Sequence, residues 1–473
     1  MTAILLRRCE VDGRLVDVRW RDGRVLDVTD APARPAAAED GWRVVEGDGG
    51  AVIPGLHDHH IHLLALAAAR GSTRVGPPEV TDRAGLSSAL MAACRSAPSG
   101  WVRAVGYHES VAGDIDAETL DRLVPAGGEV AIRVQHRGGQ LWVLNRRAVA
   151  LARLDEVADP GVERDERGVP TGRVLGLDDL LRGRVPGPEL DLGRVARELA
   201  GYGTTGITDL TPTESIDEVE LLAAAARRAE FPLRVTITGG PGLSGRAAPD
   251  LLRGPVKFLP ADHAEVDVDA LASGIAGAHR ADRVAAVHCV SRVGLVVAVT
   301  AFRTAGVRPG DRIEHGAVVP PEMDDDLRDL GLTVVTQPNF VGERGDEYLA
   351  DVDPIDVPHL WRSATLADRA IPLAGGTDAP FGHPDPWRAI AAAIGRRTPS
   401  GRLLGADDRL APADALGLFL GSAGAPTVPR RIAAGQRTDL CLLDRPLRAA
   451  LEAPTAAAVV ATIGRAGVTA HRA

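Results

Sequence analysis

Eight short apolar segments, alternating with helical stretches from residue 50 to about residue 380, constrain this chain more than any other feature. They read "GAVIPGL", "GITDLTP", "PLRVTITGG", "PVKFLP", "RVAAVHCV", "DRIEHGAVV", "LTVVTQPNF" and "IPLAGGTDAP". Near-continuous apolar strands separated by helices such as "ESIDEVELLAAAARRAE" indicate a parallel sheet covered on both faces. Eight of them predict an α/β fold, a (β/α)8 TIM-like barrel. The two ends of the chain have a different pattern. "ILLRRCEVDGRLVDVRWRDGRVLDV" places two Asp-Gly turn signals between alternating segments, and "TDLCLLDRPL" and "AGVTAHRA" are strand-like too. Residues 1–53 and 426–473 are therefore expected to build a small β-sandwich domain from both termini, around a barrel at 54–425. The stretch from about 72 to 200 is too long for one crossover and carries its own elements, which predicts a subdomain inserted after the first barrel strand. Residues 29–40, "TDAPARPAAAED", are the one segment expected to be disordered.

Composition excludes several classes of function. A net charge of −10 argues against nucleic acid or an anionic membrane surface as partner, because phosphate binding needs a basic surface. Apolar runs such as "LLALAAA" and "AAAVVATI" are too short to span a bilayer. The opening residues alternate like a strand and present no apolar signal region. Cys9, Cys94, Cys289 and Cys441 lie far apart without a CxxC spacing, which fits a reduced protein with neither a disulfide framework nor a zinc knuckle. The expected setting is the cytoplasm and the expected partner a small molecule; a homo-oligomer is compatible with all of this.

Chemistry enters at the strand ends, where the active sites of such barrels lie. The first segment runs into "HDHHIH", which offers two H-x-H pairs on opposite faces, His57 with His59 and His60 with His62, since side chains two apart share a face. The spacing P-G-x-x-D-x-H-x-H picks Asp58, His60 and His62 as the in-phase set. The fourth ends near Lys257, the fifth near His288, the sixth near His315 and the eighth near Asp378. Four histidines, a lysine and an aspartate meeting at one mouth indicate a metal site. Lys257 is the only lysine in the chain, against 53 arginines. Arginine keeps its proton, whereas a buried lysine can become a neutral amine.

The spacing P-G-x-x-D-x-H-x-H at 54–62 resembles the amidohydrolase superfamily. "RDERGVPTGRVL" (164–175), "DRIEHGAVVPPEMDDDLRDLGLTVVTQPNF" (311–340), "PLAGGTDAPFGHPDPWRAIAAAI" (372–394) and "RTDLCLLD" (437–444) extend the likeness, which is similar to the branch that includes N-substituted formamide deformylases. The resemblance implies that His60 and His62 bind one divalent ion and that His288 and His315 bind a second. It further implies that Lys257, carboxylated by carbon dioxide, bridges the two, and that Asp378 binds the first ion and shuttles protons. Zinc suits this ligand set best, with manganese or iron as alternatives. The implied activity is hydrolysis of a C–N bond in an amide, formamide or cyclic amide by a hydroxide bridging the ions. Asp378, expected in an exposed mouth, would pass the proton to the leaving nitrogen.

The chain departs from that family pattern in two places. Relatives often carry a histidine where Gln140 stands, so His136 is the expected substrate contact in the insert, with "YHE" at 107–109 nearby. After His288 relatives show a Gly-Asp pair, whereas this chain has Ser291 and Arg292; Arg292 could bind a substrate carboxylate or form a surface ion pair. Gln337 and Asn339 could bond a substrate amide or cap their loop. The aspartates at 324–326 are expected to be a solvated first helical turn. Two competing readings are a mononuclear deaminase of a heterocycle, which would want a glutamate at Ser291, and an inactive barrel kept as a binding protein.

Overall fold

The computed structural model describes residues 3–32, 41–97, 99–125, 129–212, 215–240, 243, 251–260 and 266–470. Most of the segment expected to be disordered, residues 33–40, lies outside these. The chain divides into two compact units, Met1–Leu63 with Leu192–Ala473, and Leu64–Asp191. The helix Leu192–Gly201, assigned to the insert from sequence, thus belongs to the first unit.

In the first unit, α/β architecture is built on two parallel sheets. One joins β1 (Leu56–Ile61), β2 (Thr204–Asp209), β3 (Arg234–Ile237) and a short strand at Leu252–Arg253. The other runs through β4 (Val256–Phe258), β5 (Ala285–Cys289), β6 (Arg312–His315), β7 (Thr333–Thr336) and β8 (Leu373–Gly375). Backbone hydrogen bonds link the sheets at both margins. Lys257 N donates to Gly239 O at 3.1 Å, Asp378 N to His60 O at 2.7 Å, and His62 N to Ala379 O at 2.8 Å. Helices Val268–Arg280 and Arg292–Ala305 cover one face, each started by a side-chain cap from Asp267 or Ser291. Their apolar stripes, Leu271 and Ile275, then Leu295, Val299 and Phe302, pack on Ala285, Val287, Ile313 and Val334.

The first barrel strand differs from expectation. "GAVIPGL" is split: Val52–Pro54 pairs antiparallel with Leu440–Leu443, and β1 starts at Leu56 and runs through the histidines themselves. Gly55 marks the break, where a Cβ would lie 2.4 Å from the Thr205 side chain. The aspartate cluster also differs, because Asp324 is buried and its carboxylate takes both Nη atoms of Arg362, at 2.9 and 3.1 Å. A side chain that turns inward at the start of a helix needs a cation there, which its two neighbours do not.

The terminal strands form two further sheets. Strands Ala3–Val11, Arg14–Arg21 and Arg24–Asp30 turn at Asp12-Gly13 and Asp22-Gly23, all four residues at positive φ as the Asp-Gly signals require, and Arg43–Glu46 adds a parallel edge. The second sheet is Val52–Pro54, Leu440–Leu443, Val459–Gly464 and Gly467–Ala470. Alternation decides which residue faces what. Ile4, Leu6, Val16, Val18 and Trp20 share one core with Leu440 and Leu442, while Cys441 and Leu443 pack with Trp387, Ile390 and Phe419. The second unit is a six-stranded mixed sheet, 162–164, 170–175, 141–144, 131–136, 101–107 and 73–74 in order, with helices including Arg83–Arg95 and Ala117–Leu123.

Gly376, just after β8, sits against β1 so closely that a Cβ would fall 2.4 Å from His60 Cβ and 2.7 Å from His60 N. Neither atom can move without shifting the strand. Gly376→Ala is expected to cost about 1–3 kcal/mol, read as a lowered denaturation midpoint of the metal-free protein. An unchanged midpoint would show the contact to be slack.

Candidate active site

His60, His62 and Asp378 are brought together at the C-terminal ends of β1 and β8. Asp378 Oδ1 lies 3.4 Å from His60 Nε2 and 3.3 Å from His62 Nε2. One ligand atom from each lies within 4.8 Å of the other two. The imidazoles form a row: ring centroids are 5.4 Å apart for His62 and His60, 4.7 Å for His60 and His315, and 4.5 Å for His315 and His288. Two residues of this group hold left-handed backbone, His315 at φ 71° and Asp378 at φ 56°. A non-glycine residue adopts that conformation at a cost, and such outliers concentrate at functional sites.

The rings of His60, His62 and His315 each have Nδ1 on a protein acceptor. His60 Nδ1 is 2.6 Å from Glu314 Oε2, His62 Nδ1 is 3.2 Å from Thr211 Oγ1, and His315 Nδ1 is 2.7 Å from Gln337 Oε1. Thr211 gives its own proton to Asp209 Oδ1 at 2.6 Å, and Gln337 Nε2 donates to Val335 O at 3.1 Å, which sets both acceptors. Each Nε2 is then left with its lone pair, as a metal ligand requires. Burial pushes His60 and His315 well below the ordinary imidazole pKa, with the Lys257 charge acting in the same direction, so both are neutral rings. A cluster of neutral imidazoles beside a carboxylate fits a divalent ion.

Lys257 lies on β4 and is 4% exposed, and its Nζ has no hydrogen-bond partner among the described residues. Burial lowers its pKa, opposed by the charges of Glu314 and Asp378. An ammonium without a partner is costly in such a place. A side chain that becomes an anion between cations there is not, so the orphaned amine also fits the implied metal site.

The structure places the other predicted residues as follows. Asp378 is buried, at 6% exposure, and not in an open mouth. Gln337 is engaged through both ends of its amide, which positions His315. Asn339 donates to Thr377 O at 3.1 Å and Glu343 Oε1 at 3.3 Å, while its buried Oδ1 has no partner. Arg292 is the surface ion pair of the two readings. Its Nε and Nη2 go to Asp356 Oδ1 at 2.9 and 2.7 Å and its Nη1 to Glu322 Oε1 at 2.5 Å, so protein carboxylates fill the fork that a substrate would need. Arg292→Ala is accordingly expected to leave KM and the denaturation midpoint nearly unchanged; a large rise in KM would restore it to the substrate site. Ser291 is a helix cap, accepting Gly294 N at 3.0 Å.

His136 lies in the second unit beside Glu109 and His108, three residues whose ligand atoms also gather within 4.8 Å. Here the tautomers point the other way. Gly138 N donates to His136 Nδ1 at 3.0 Å and Ser110 N to His108 Nδ1 at 3.3 Å, so each Nε2 carries the proton. His136 Nε2 then donates to Glu109 Oε2 at 3.1 Å. In this cluster the imidazole lone pairs, on Nδ1 and not on Nε2, are taken up, unlike in the row on the first unit.

Sequence reasoning missed Glu314, Arg312, Asp209 and Thr211. A signal was present: "RIEH" sets two opposite charges two residues apart on a short strand between apolar neighbours, where a buried charge survives only with a partner.

A candidate metal site at the strand ends of a parallel-stranded α/β unit fits a metal-dependent hydrolase. Residues 43–465 match the model of the amidohydrolase family, and the chain belongs to it. It is 24% identical to the N-substituted formamide deformylase of Arthrobacter pascens over 494 aligned positions, covering 89% of each chain. Among solved structures it resembles an uncharacterized metal-dependent hydrolase from Pyrococcus horikoshii OT3, with TM-score 0.73 and 18% identity over 94% of this chain and 98% of that one. It also resembles the 5-methylcytosine deaminase of Klebsiella pneumoniae, with TM-score 0.55 and 15% identity over 100% and 98%. Metal dependence and hydrolysis of a C–N bond follow at the level of the family. No helix among the described residues is long and apolar enough to cross a membrane.

Proposed function

We propose that this chain hydrolyses the C–N bond of a small amide, formamide or cyclic amide with two divalent ions held at the row of imidazoles. The observation that carries this is the buried, unpartnered Nζ of Lys257 in the company of His60, His315 and Asp378. In this reading His60, His62 and Asp378 hold one ion and His288 and His315 the other. Lys257 would serve both, since its neutral amine can add to carbon dioxide and lose a proton, giving an anion with two oxygens. The imidazole-rich set favours zinc over manganese or iron. Bound ions of this kind lower the pKa of a water ligand and polarise a substrate carbonyl. The protein does the rest. Asp378 takes the proton of the attacking water and returns it to the leaving nitrogen. The unpartnered Oδ1 of Asn339 offers an acceptor for a substrate N–H. A mononuclear deaminase is disfavoured, since the position that would carry its glutamate is the helix cap Ser291.

The same reading takes the two parallel sheets as one closed eight-stranded barrel, supported by backbone bonds at both margins, and the terminal sheets as a sandwich around their shared core. None of the four cysteines is in a disulfide, which agrees with the cytoplasm as the setting. A small-molecule substrate and a homo-oligomer complete the proposal. Protein purified without chelators should contain about two divalent ions per chain and hydrolyse some member of a panel of N-formyl, N-acyl and cyclic amides. A metal-free preparation by elemental analysis would sink the reading.

A further inference from the structure

We propose that Glu314 is the positioning residue that commits His60 to metal binding, through its role as the Nδ1 acceptor and not through its charge. This rests on the metal site proposed above. Among the Nδ1 acceptors named above, a threonine hydroxyl and a glutamine amide accept here only because Asp209 and Val335 O take their own protons, whereas a carboxylate needs no such help. Glu314 is fully buried, with Oε2 2.6 Å from His60 Nδ1 and Oε1 2.5 Å from Arg312 Nε. Arg312 is itself buried and ties this arrangement across to β1 through Nη2 and His59 O at 3.1 Å. Glu314 therefore cannot turn away, and His60 Nδ1 must be the protonated nitrogen. His60 Nε2 is left as the ligand atom facing Asp378. The cluster of His108, Glu109 and His136 shows what the same residue types do without this arrangement: their Nδ1 atoms accept backbone protons and the Nε2 atoms become donors.

Removing Glu314 alone would strand the buried Arg312, so the test removes both charges and varies only the acceptor. Arg312→Met with Glu314→Gln leaves an amide whose oxygen can still take the His60 proton. Arg312→Met with Glu314→Leu leaves no acceptor. Zinc affinity of each stripped protein is measured by competition with a chromophoric chelator, and folding is checked by circular dichroism. The glutamine variant is expected to bind zinc within about 3-fold of the parent and the leucine variant about 10–100-fold more weakly, the usual effect of losing an outer-shell partner. Equal affinities in the two variants overturn the proposal, whether both match the parent or both fall. A parent that binds no zinc sinks this inference together with the function it rests on, whereas equal variants beside a zinc-binding parent sink this inference alone.

Discussion

Lys257→Arg is expected to lose about one bound ion per chain and at least about 10²-fold in kcat/KM while keeping its fold. The substitution preserves charge and approximate length, and this chain places arginine everywhere else it needs a cation. A lysine kept for packing or for a surface contact would accept the change. Lys257 has neither excuse: it is buried, its Nζ meets no acceptor, and its own positive charge bears on His60 and His315. A guanidinium cannot shed its proton and cannot add carbon dioxide, so it would set a permanent cation beside two more. Lys257→Ala removes the cation as well as the bridge, and a short carboxylic acid in the buffer should restore part of its activity by filling the gap. Elemental analysis and kinetics on the same preparations check both variants. An arginine variant with full metal content and full activity would show that Lys257 bridges nothing.

The strand ends were legible because a parallel sheet sets separate positions in sequence along one edge in space. His60, His62, Lys257, His288, His315 and Asp378 could be named from "HDHHIH" and the last residues of four apolar runs. The Asp-Gly turns of the first three strands were legible for a local reason, since both demand positive φ. What sequence hid was the partner of each site residue. Nothing in the spacing of Glu314 and His60, 254 residues apart, says that a carboxylate of β6 reaches an imidazole of β1. Two readings stayed open for Arg292 and for Gln337 for the same reason: a fork or an amide looks available until its neighbours are known, and Asp356, Glu322 and His315 come from other segments. Asp324 was taken as solvated because its first-turn position is generic, while the Arg362 that draws it inward lies 38 residues on. The break in β1 was hidden too, since Gly55 reads as an ordinary strand glycine until Thr205 is seen against it.

Asp378→Asn is expected to fold like the parent, hold metal when metal is saturating, and lose about 10²-fold or more in kcat. Asparagine suits this position unusually well. Asp378 sits at φ 56°, a left-handed conformation that asparagine adopts more readily than most residues, so the backbone need not move. Its backbone bond to His60 O, which joins β8 to β1, is untouched by the change. Alanine would confound the result by adding strain at the same φ. The amide keeps an oxygen within reach of His60 and His62 but cannot take up a proton, so the variant separates holding the ion from moving the proton. Loss of the negative charge should weaken the first ion, which is why the rate is compared across a metal titration. If excess metal brings the variant back to the parent rate, Asp378 is a ligand only, and the proton must travel by another group. If the rate stays low at full occupancy with an unchanged melting profile, the carboxylate is the acid–base group of the reaction.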